Sequence, residues 1–164
     1  MVRFADVQQG HKLLDVGGGT GRVAVLFAET TDQVLIADAA VGMLREAHAK
    51  GLQALNTTSE NLSLPANYFD RVIMVDALHH VEDQQKTLRE IWRVLAPGGK
   101  MVIEEPDIHN FLVKLVALGE KLALMRSKFI SPERILKLCQ FNGIGSQKII
   151  KEKGIAWIII TKAL

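Results

Sequence analysis

The chain has 164 residues, 48% of them hydrophobic, with 20 Lys and Arg against 18 Asp and Glu and a single cysteine. That length suits one domain around one core, a net charge of +2 is too small to argue for nucleic acid, and a lone Cys139 excludes an internal disulfide framework and suits a cytosolic, reducing compartment. The apolar runs, such as Ile155 to Ile160, fall short of the roughly 20 residues of a membrane span, and Arg3 and Asp6 near the start do not read as a secretory signal.

Only about a dozen residues precede the first expected strand, Lys12 to Val16. The second is expected over Gln33 to Asp38, the third over Gln53 to Thr57, the fourth over Phe69 to Asp76 and the fifth over Lys100 to Glu104. Each is a short apolar run with β-branched residues and polar ends. Helices are expected in the gaps, most clearly over Asp83 to Leu95. There Leu88, Ile91, Trp92 and Leu95 recur at helical spacing and Pro97-Gly98-Gly99 stops the helix. A long apolar helical stretch follows from about Ile108 to Arg126. Ser131-Pro132-Glu133 then reads as an N-cap with proline at the first helical position, opening a helix that ends near Asn142-Gly143. Two last strands, about Ile144 to Lys151 and Ile155 to Thr161, flank Glu152-Lys153-Gly154 as a hairpin. The alternation predicts one α/β domain over residues 1 to 164: a Rossmann-like, doubly wound, mostly parallel seven-stranded sheet with a C-terminal antiparallel hairpin.

Leu13-Leu14-Asp15-Val16-Gly17-Gly18-Gly19-Thr20-Gly21 puts glycines where the first strand turns, which serves either a tight turn or the close approach of backbone to a ligand. The spacing is G-x-G-x-G; the dinucleotide fingerprint G-x-G-x-x-G would need glycine where Arg22 stands. Asp15 faces the crevice beyond the strand ends, where a carboxylate repels a pyrophosphate and attracts an ammonium group; it also suits capping of the loop's own N–H groups. S-adenosylmethionine carries an ammonium and a sulfonium and no phosphate. Asp38 closes the second strand 17 residues after Gly21, where a carboxylate accepts from both ribose hydroxyls or caps a helix.

Leu13 to Gly21, Asp38-Ala39-Ala40 with Met43-Leu44, Phe69-Asp70, Ala77-Leu78-His79-His80-Val81 and Arg93-Val94-Leu95-Ala96-Pro97-Gly98-Gly99 together resemble the class I S-adenosylmethionine-dependent methyltransferases of the ubiquinone/menaquinone-biosynthesis type, methyltransferase type 11. The resemblance runs from about residue 10 to the end. It implies that Asp15, Gly17, Gly19 and Gly21 cradle the methionine portion of the cofactor, that Asp38 holds the ribose and that Ala39 lies against the adenine. The family's acidic position after the third strand falls on Thr58, leaving the Thr58 hydroxyl, the Ser59 backbone and Glu60 as alternatives for the adenine amine. Glycine at 18, where many relatives carry cysteine, is expected to be harmless.

The loop after the fourth strand, Asp76 to Val81, should face the same crevice. His79 and His80 are its candidates for a base or water-positioning group, since imidazole titrates near neutral pH, and loop-filling is the alternative for both. Asp76 is placed to steady the cofactor ammonium or a histidine. His11, His48 and His109 lack such a context, and no Cys/His spacing suggests zinc. The implied activity is methyl transfer to a small-molecule acceptor. Members of the family it resembles usually carry helices before the first strand that close over the cofactor; either this is a trimmed version without them, or the apolar side chains from Phe111 to Met125 cover the site or bind an apolar acceptor, with packing on the sheet or a homodimer as the alternatives for that stretch. Alternatives are an NAD-dependent oxidoreductase, disfavoured by Arg22 and Asp15, and a non-catalytic cofactor-binding subunit. An RNA or protein methyltransferase is supported only by the basic last third, where residues 107 to 164 hold 10 Lys and Arg against 4 Asp and Glu.

Overall fold

A computed structural model describes residues 1–110 and 127–164. Seven strands form one sheet: β1 (Leu13–Val16), β2 (Val34–Asp38), β3 (Gln53–Asn56), β4 (Phe69–Val75), β5 (Leu95–Pro106), β6 (Ile144–Glu152) and β7 (Ile155–Lys162), in the order β3-β2-β1-β4-β5-β7-β6. The first five run parallel; β7 is antiparallel to both β5 and β6. This is the expected doubly wound sheet with a C-terminal hairpin. The chain travels outward from β1 to β3, then crosses back to β4 on the other flank of β1. The crevice at the carboxyl ends of β1 and β4 is therefore the topological switch point where open α/β sheets take ligands.

Side chains alternate across the sheet with the strand's period of two. Leu14, Val16, Val72, Met74, Met101 and Ile103 pack on one face with Leu88, Ile91 and Trp92 of α3 (Gln84–Val94) and Ile135 of α4 (Pro132–Leu138). Leu13, Ile73, Val102 and Ile159 face the other way, toward Leu44 and Ala47 of α2 (Val41–Ala49) and Ala5 of the short α1 (Val2–Ala5). Asp15 therefore sits in an otherwise apolar row, next to Leu13 on the same face.

The helix starts follow local capping. Asp83 accepts from the Lys86 N–H at 2.9 Å ahead of α3, and Ser131 accepts from the Arg134 N–H at 3.2 Å ahead of α4, with Pro132 where its missing N–H costs nothing. The hairpin turn is Lys153-Gly154, both at positive φ (50° and 81°), as a two-residue type I′ turn requires.

Four expectations are corrected. The gap between β1 and β2 holds only a 3-10 turn over Ala24–Phe27, whose three-residue spacing brings Ala24 and Phe27 together into the core while Val23 and Val25 disfavour a longer helix. The gap between β3 and β4 carries an isolated Thr58–Asn61 bridge and a loop through Pro65. Strand β5 starts at Leu95, before Pro97-Gly98-Gly99, because Leu95 already pairs with Phe69. Helix α4 ends at Leu138, several residues before Asn142-Gly143. Of the stretch expected to be helical from Ile108, residues 111–126 lie outside the described residues; Ile108 to Asn110 form a turn.

Candidate functional site

At the switch point the ends of β1 and β2, the turn after β3 and the loop after β4 enclose a cavity of about 670 Å³. Asp15, Gly17, Gly19, Asp38, Ala39, Thr58, Ser59, Glu60, Asp76 and His80 all line it; Gly21 and His79 do not.

Asp15 is 1% exposed, and among the described residues neither of its carboxylate oxygens has a hydrogen-bond partner. Burial foremost, with help from the charge of Asp38 and against that of Arg22, pushes its carboxyl up to about 7. A buried charge without a partner is costly, and an ammonium group entering the cavity would supply the missing counter-charge. A pyrophosphate would raise the cost further.

The glycine turn divides its labour. Gly17 and Gly21 take φ of 71° and 75° and face protein: a Cβ at 17 would stand 2.7 Å from the Ala77 methyl, and one at 21 would stand 2.5 Å from Leu52 and 3.0 Å from Ile36. Gly19 faces the cavity side, where a Cβ would meet only the Met43 sulfur at 3.1 Å and an Asp38 oxygen at 3.9 Å. Gly18 is tied to Asp15, since a Cβ there would lie 2.6 Å from the carboxylate, so a larger residue at 18 would displace that side chain.

Asp38 is only partly buried and braces the turn. Its Oδ2 accepts from the Gly19 N–H at 2.9 Å and its Oδ1 from the Ala40 N–H at 2.7 Å. Each oxygen keeps a lone pair for a diol. Glu60 is engaged elsewhere: its Oε1 accepts from the Glu82 and Asp83 N–H groups at 3.0 and 3.2 Å, and the Ser59 hydroxyl donates to Oε2 at 3.2 Å. Burial opposes its charge, yet these hydrogen bonds hold the carboxyl below its ordinary value. The carboxylate fastens the start of α3 and the Ser59 hydroxyl is engaged with Glu60 and Thr87, leaving the Thr58 hydroxyl and the Ser59 backbone as the less committed of the three alternatives on this wall.

In the loop after β4, Asp76 adopts φ 53° and donates its N–H to the Glu104 carbonyl at 2.9 Å, a left-handed turn uncommon outside glycine. The two histidines part company. His80 is exposed on the cavity wall with Nδ1 3.4 Å from the Ser127 hydroxyl. His79 is buried, its Nδ1 2.6 Å from Glu105 Oε2 and its ring stacked on Phe129 at 4.2 Å. Glu105 is the residue that sequence reasoning missed. The signal was present, an acid at the carboxyl end of a strand beside β4, but two acids stand there. Only the register shows that Glu104 turns to the Trp157 indole while Glu105 turns to the loop.

Comparison with known proteins gives a consistent result. The family model described as "Methyltransferase domain" matches residues 14–103. The ubiquinone/menaquinone biosynthesis C-methyltransferase UbiE of Edwardsiella ictaluri is 34% identical over 110 residues, covering 60% of this chain and 44% of that protein. The protein of the same name from Cupriavidus pinatubonensis is 34% identical over 139 residues, covering 73% of this chain and 57% of that one. The chain thus spans about half the length of these curated relatives. Among solved structures, a SAM-dependent methyltransferase of Thermotoga maritima superposes with a TM-score of 0.83 at 24% identity, over 93% of this chain and 82% of its own. A phosphoethanolamine N-methyltransferase of Haemonchus contortus, solved with S-adenosyl-L-methionine, gives 0.84 at 18% identity over 99% of this chain and 51% of its own.

Proposed function

We propose that this chain, which belongs to the methyltransferase-domain family, transfers a methyl group from S-adenosylmethionine to a small-molecule acceptor. The observation that carries the reading is Asp15: a buried carboxylate, both oxygens without a partner among the described residues, on the wall of the cavity beside the glycine turn. Such a group fits a ligand that brings its own cation. The names of the curated relatives, which place them in ubiquinone and menaquinone biosynthesis, support a small acceptor over a macromolecular one.

Bound S-adenosylmethionine supplies a methyl carbon on a sulfonium; one acceptor–methyl bond forms as the carbon–sulfur bond breaks and its electron pair leaves with the sulfur. The rest falls to the chain. Asp15 and the Gly17–Gly19 turn hold the ammonium end, and Asp38 accepts from the ribose hydroxyls while its Gly19 bond keeps that turn in place. Ala39 offers an apolar seat to the adenine, with Thr58 and Ser59 at its edge. Asp76, at the end of β4, adds negative charge to the cationic end of the ligand. His80 stands on the acceptor side, where it aligns the nucleophile and accepts its proton directly or through a water. Alignment at near-contact distance is itself a large part of the rate in such displacements.

Titration calorimetry with S-adenosylmethionine and with NAD tests the cofactor. We expect saturable binding of the first and none of the second, and the reverse outcome overturns the reading. A screen of quinol-like and amine acceptors with methyl-labelled donor then tests the acceptor class; label transferred to RNA or protein alone would replace the small-molecule reading.

A further inference from the structure

Behind the loop that carries His80 lies a buried carboxylate that the reaction as described does not use. Glu105 is 4% exposed, near the end of β5 and beside β4. Its Oε1 accepts from the Ala77 and Leu78 N–H groups at 3.0 and 2.8 Å, and its Oε2 lies 2.6 Å from His79 Nδ1. Three bonds from one carboxylate converge on three consecutive loop residues. His79 is held on further sides as well: its ring stacks on Phe129 at 16° between planes, its carbonyl accepts from the Lys128 N–H at 2.7 Å, and its ring stands 4.0 Å from that of His80.

Stability alone is a poor reason for this arrangement. A buried acid–imidazole group gains little over apolar side chains of the same volume, because desolvation offsets the attraction. Placement is a better one. Ala77 packs against Gly17, so the carboxylate that grips the Ala77 N–H also sets the spacing between this loop and the glycine turn. From the same grip the chain reaches His80, one residue on, at the cavity wall.

We infer that Glu105 is a positioning residue of the proposed methyl transfer: through His79 it fixes the loop that presents His80 to the acceptor side of the cavity. The inference rests on the function proposed above. It makes the His79–Glu105 pair the orienting group behind an exposed imidazole, and it accounts for why adjacent histidines differ so sharply in burial.

The test compares Glu105→Gln with wild type. Glutamine is nearly isosteric. Its carbonyl oxygen still accepts from the Ala77 and Leu78 N–H groups, but its amide N–H then faces His79 Nδ1, which must become an acceptor. Nitrogen-15 spectra of the ligand-free protein should therefore show the His79 proton on Nδ1 in wild type and on Nε2 in the glutamine variant, with the His80 ring signals displaced. Affinity for S-adenosylmethionine should stay within about twofold, because the glutamine oxygen still holds the Ala77 N–H and with it the spacing between this loop and Gly17. Glu105→Ala removes all three bonds and is expected to lower Tm and broaden the signals of residues 77–80; if it fails to fold, the glutamine variant still decides. A wild-type His79 that carries its proton only on Nε2 overturns the pair. A tautomer switch that leaves the His80 signals unmoved overturns the positioning role and makes Glu105 a structural clamp only. Wild type that binds no S-adenosylmethionine sinks the proposed function instead, a separate result because the tautomer is read without ligand.

Discussion

Two carboxylates lie buried near the ends of the strands that flank β4, Asp15 on β1 and Glu105 on β5, and they are treated in opposite ways. Among the described residues Asp15 on β1 has no partner for either oxygen and its carboxyl is pushed up to about 7; Glu105 on β5 makes three hydrogen bonds to protein. Burial is nearly the same, so exposure alone does not tell their roles apart. What differs is satisfaction. A saturated carboxylate organises backbone, whereas an unsatisfied one keeps its interaction for something that arrives later, and the folded state bears the cost until then.

The comparison breaks if Asp15 behaves like a structural acid. Asp15→Asn keeps the shape and removes the charge, and we expect roughly 100-fold weaker S-adenosylmethionine binding by calorimetry, in line with the loss of one partner of a buried charge pair. The same variant should be more stable than wild type when ligand-free at neutral pH. The sign follows from the pKa: the folded value is about 7 against an ordinary value of 3.8, so the fold holds the extra proton between them. Wild-type stability from this group is therefore present at about pH 4 and lost as pH rises toward about 7, and the gap between variant and wild type should open over that window in denaturant titrations. Cofactor affinity should run the other way, rising with pH as Asp15 ionises, with proton release visible as a dependence on buffer ionisation heat. An affinity flat across this range, or a variant less stable than wild type, would mean that Asp15 has a protein partner after all.

On the saturated side, His80→Ala should lower turnover by about 100-fold, the usual weight of a general base, with cofactor affinity unchanged. Wild-type turnover would reduce His80 to loop structure. Asp38→Ala should weaken cofactor binding at least about tenfold, since it removes charge-assisted hydrogen bonds and slackens Gly19; an unchanged Kd in a folded variant counts against the ribose role. Glycine variants sharpen the division within one turn. Gly21→Ala should cost about 2 kcal/mol of stability through its positive φ and the crowding by Leu52 and Ile36; Gly19→Val is also strained by a φ of 53°, but its side chain meets the cavity side, so it should lose cofactor binding while the sheet still unfolds cooperatively. The smallest effect belongs to an exposed pair. Lys151, foremost, holds the Glu133 carboxyl down at about 2, yet Glu133→Gln should change stability by less than about 1 kcal/mol and lose even that at high salt. Any contribution is present above the ordinary value of 4.5 and fades as pH falls toward about 2.

Much of the fold was legible because parallel strands buried on both faces read as apolar runs, and because caps such as Ser131-Pro132 act locally. The start of β5 was not, since Leu95 to Gly99 joins the sheet through its pairing partner and against its own proline and glycines. The cofactor wall was readable for one reason: acids at strand ends point into the crevice, and Asp15, Asp38 and Asp76 obey that rule. Glu105 departs from that rule, turning to the loop behind the cavity; choosing between Glu104 and Glu105 needs the register, and choosing between His79 and His80 needs the orientation of a single 3-10 turn, Leu78–His80. Adjacent identical residues carry no such information. Gly18 was read as harmless, and its coupling to the Asp15 carboxylate becomes visible only once both are placed.

The position of β1 between β2 and β4 has a consequence for how this molecule is made. Lys12, just before β1, is tied to Asp70, the second residue of β4, across 58 residues of sequence, through its N–H and the aspartate Oδ2. Such long loops make closure slow relative to a helical bundle of similar size. As the chain leaves the ribosome, β1 and β2 can pair while β4 is still unmade, presenting the carboxylates of Asp15 and Asp38 to water with no opposing wall. Desolvation of Asp15 then waits for β4 to dock, so in a refolding experiment the appearance of cofactor affinity should coincide with the last slow phase and not with the early gain of secondary structure.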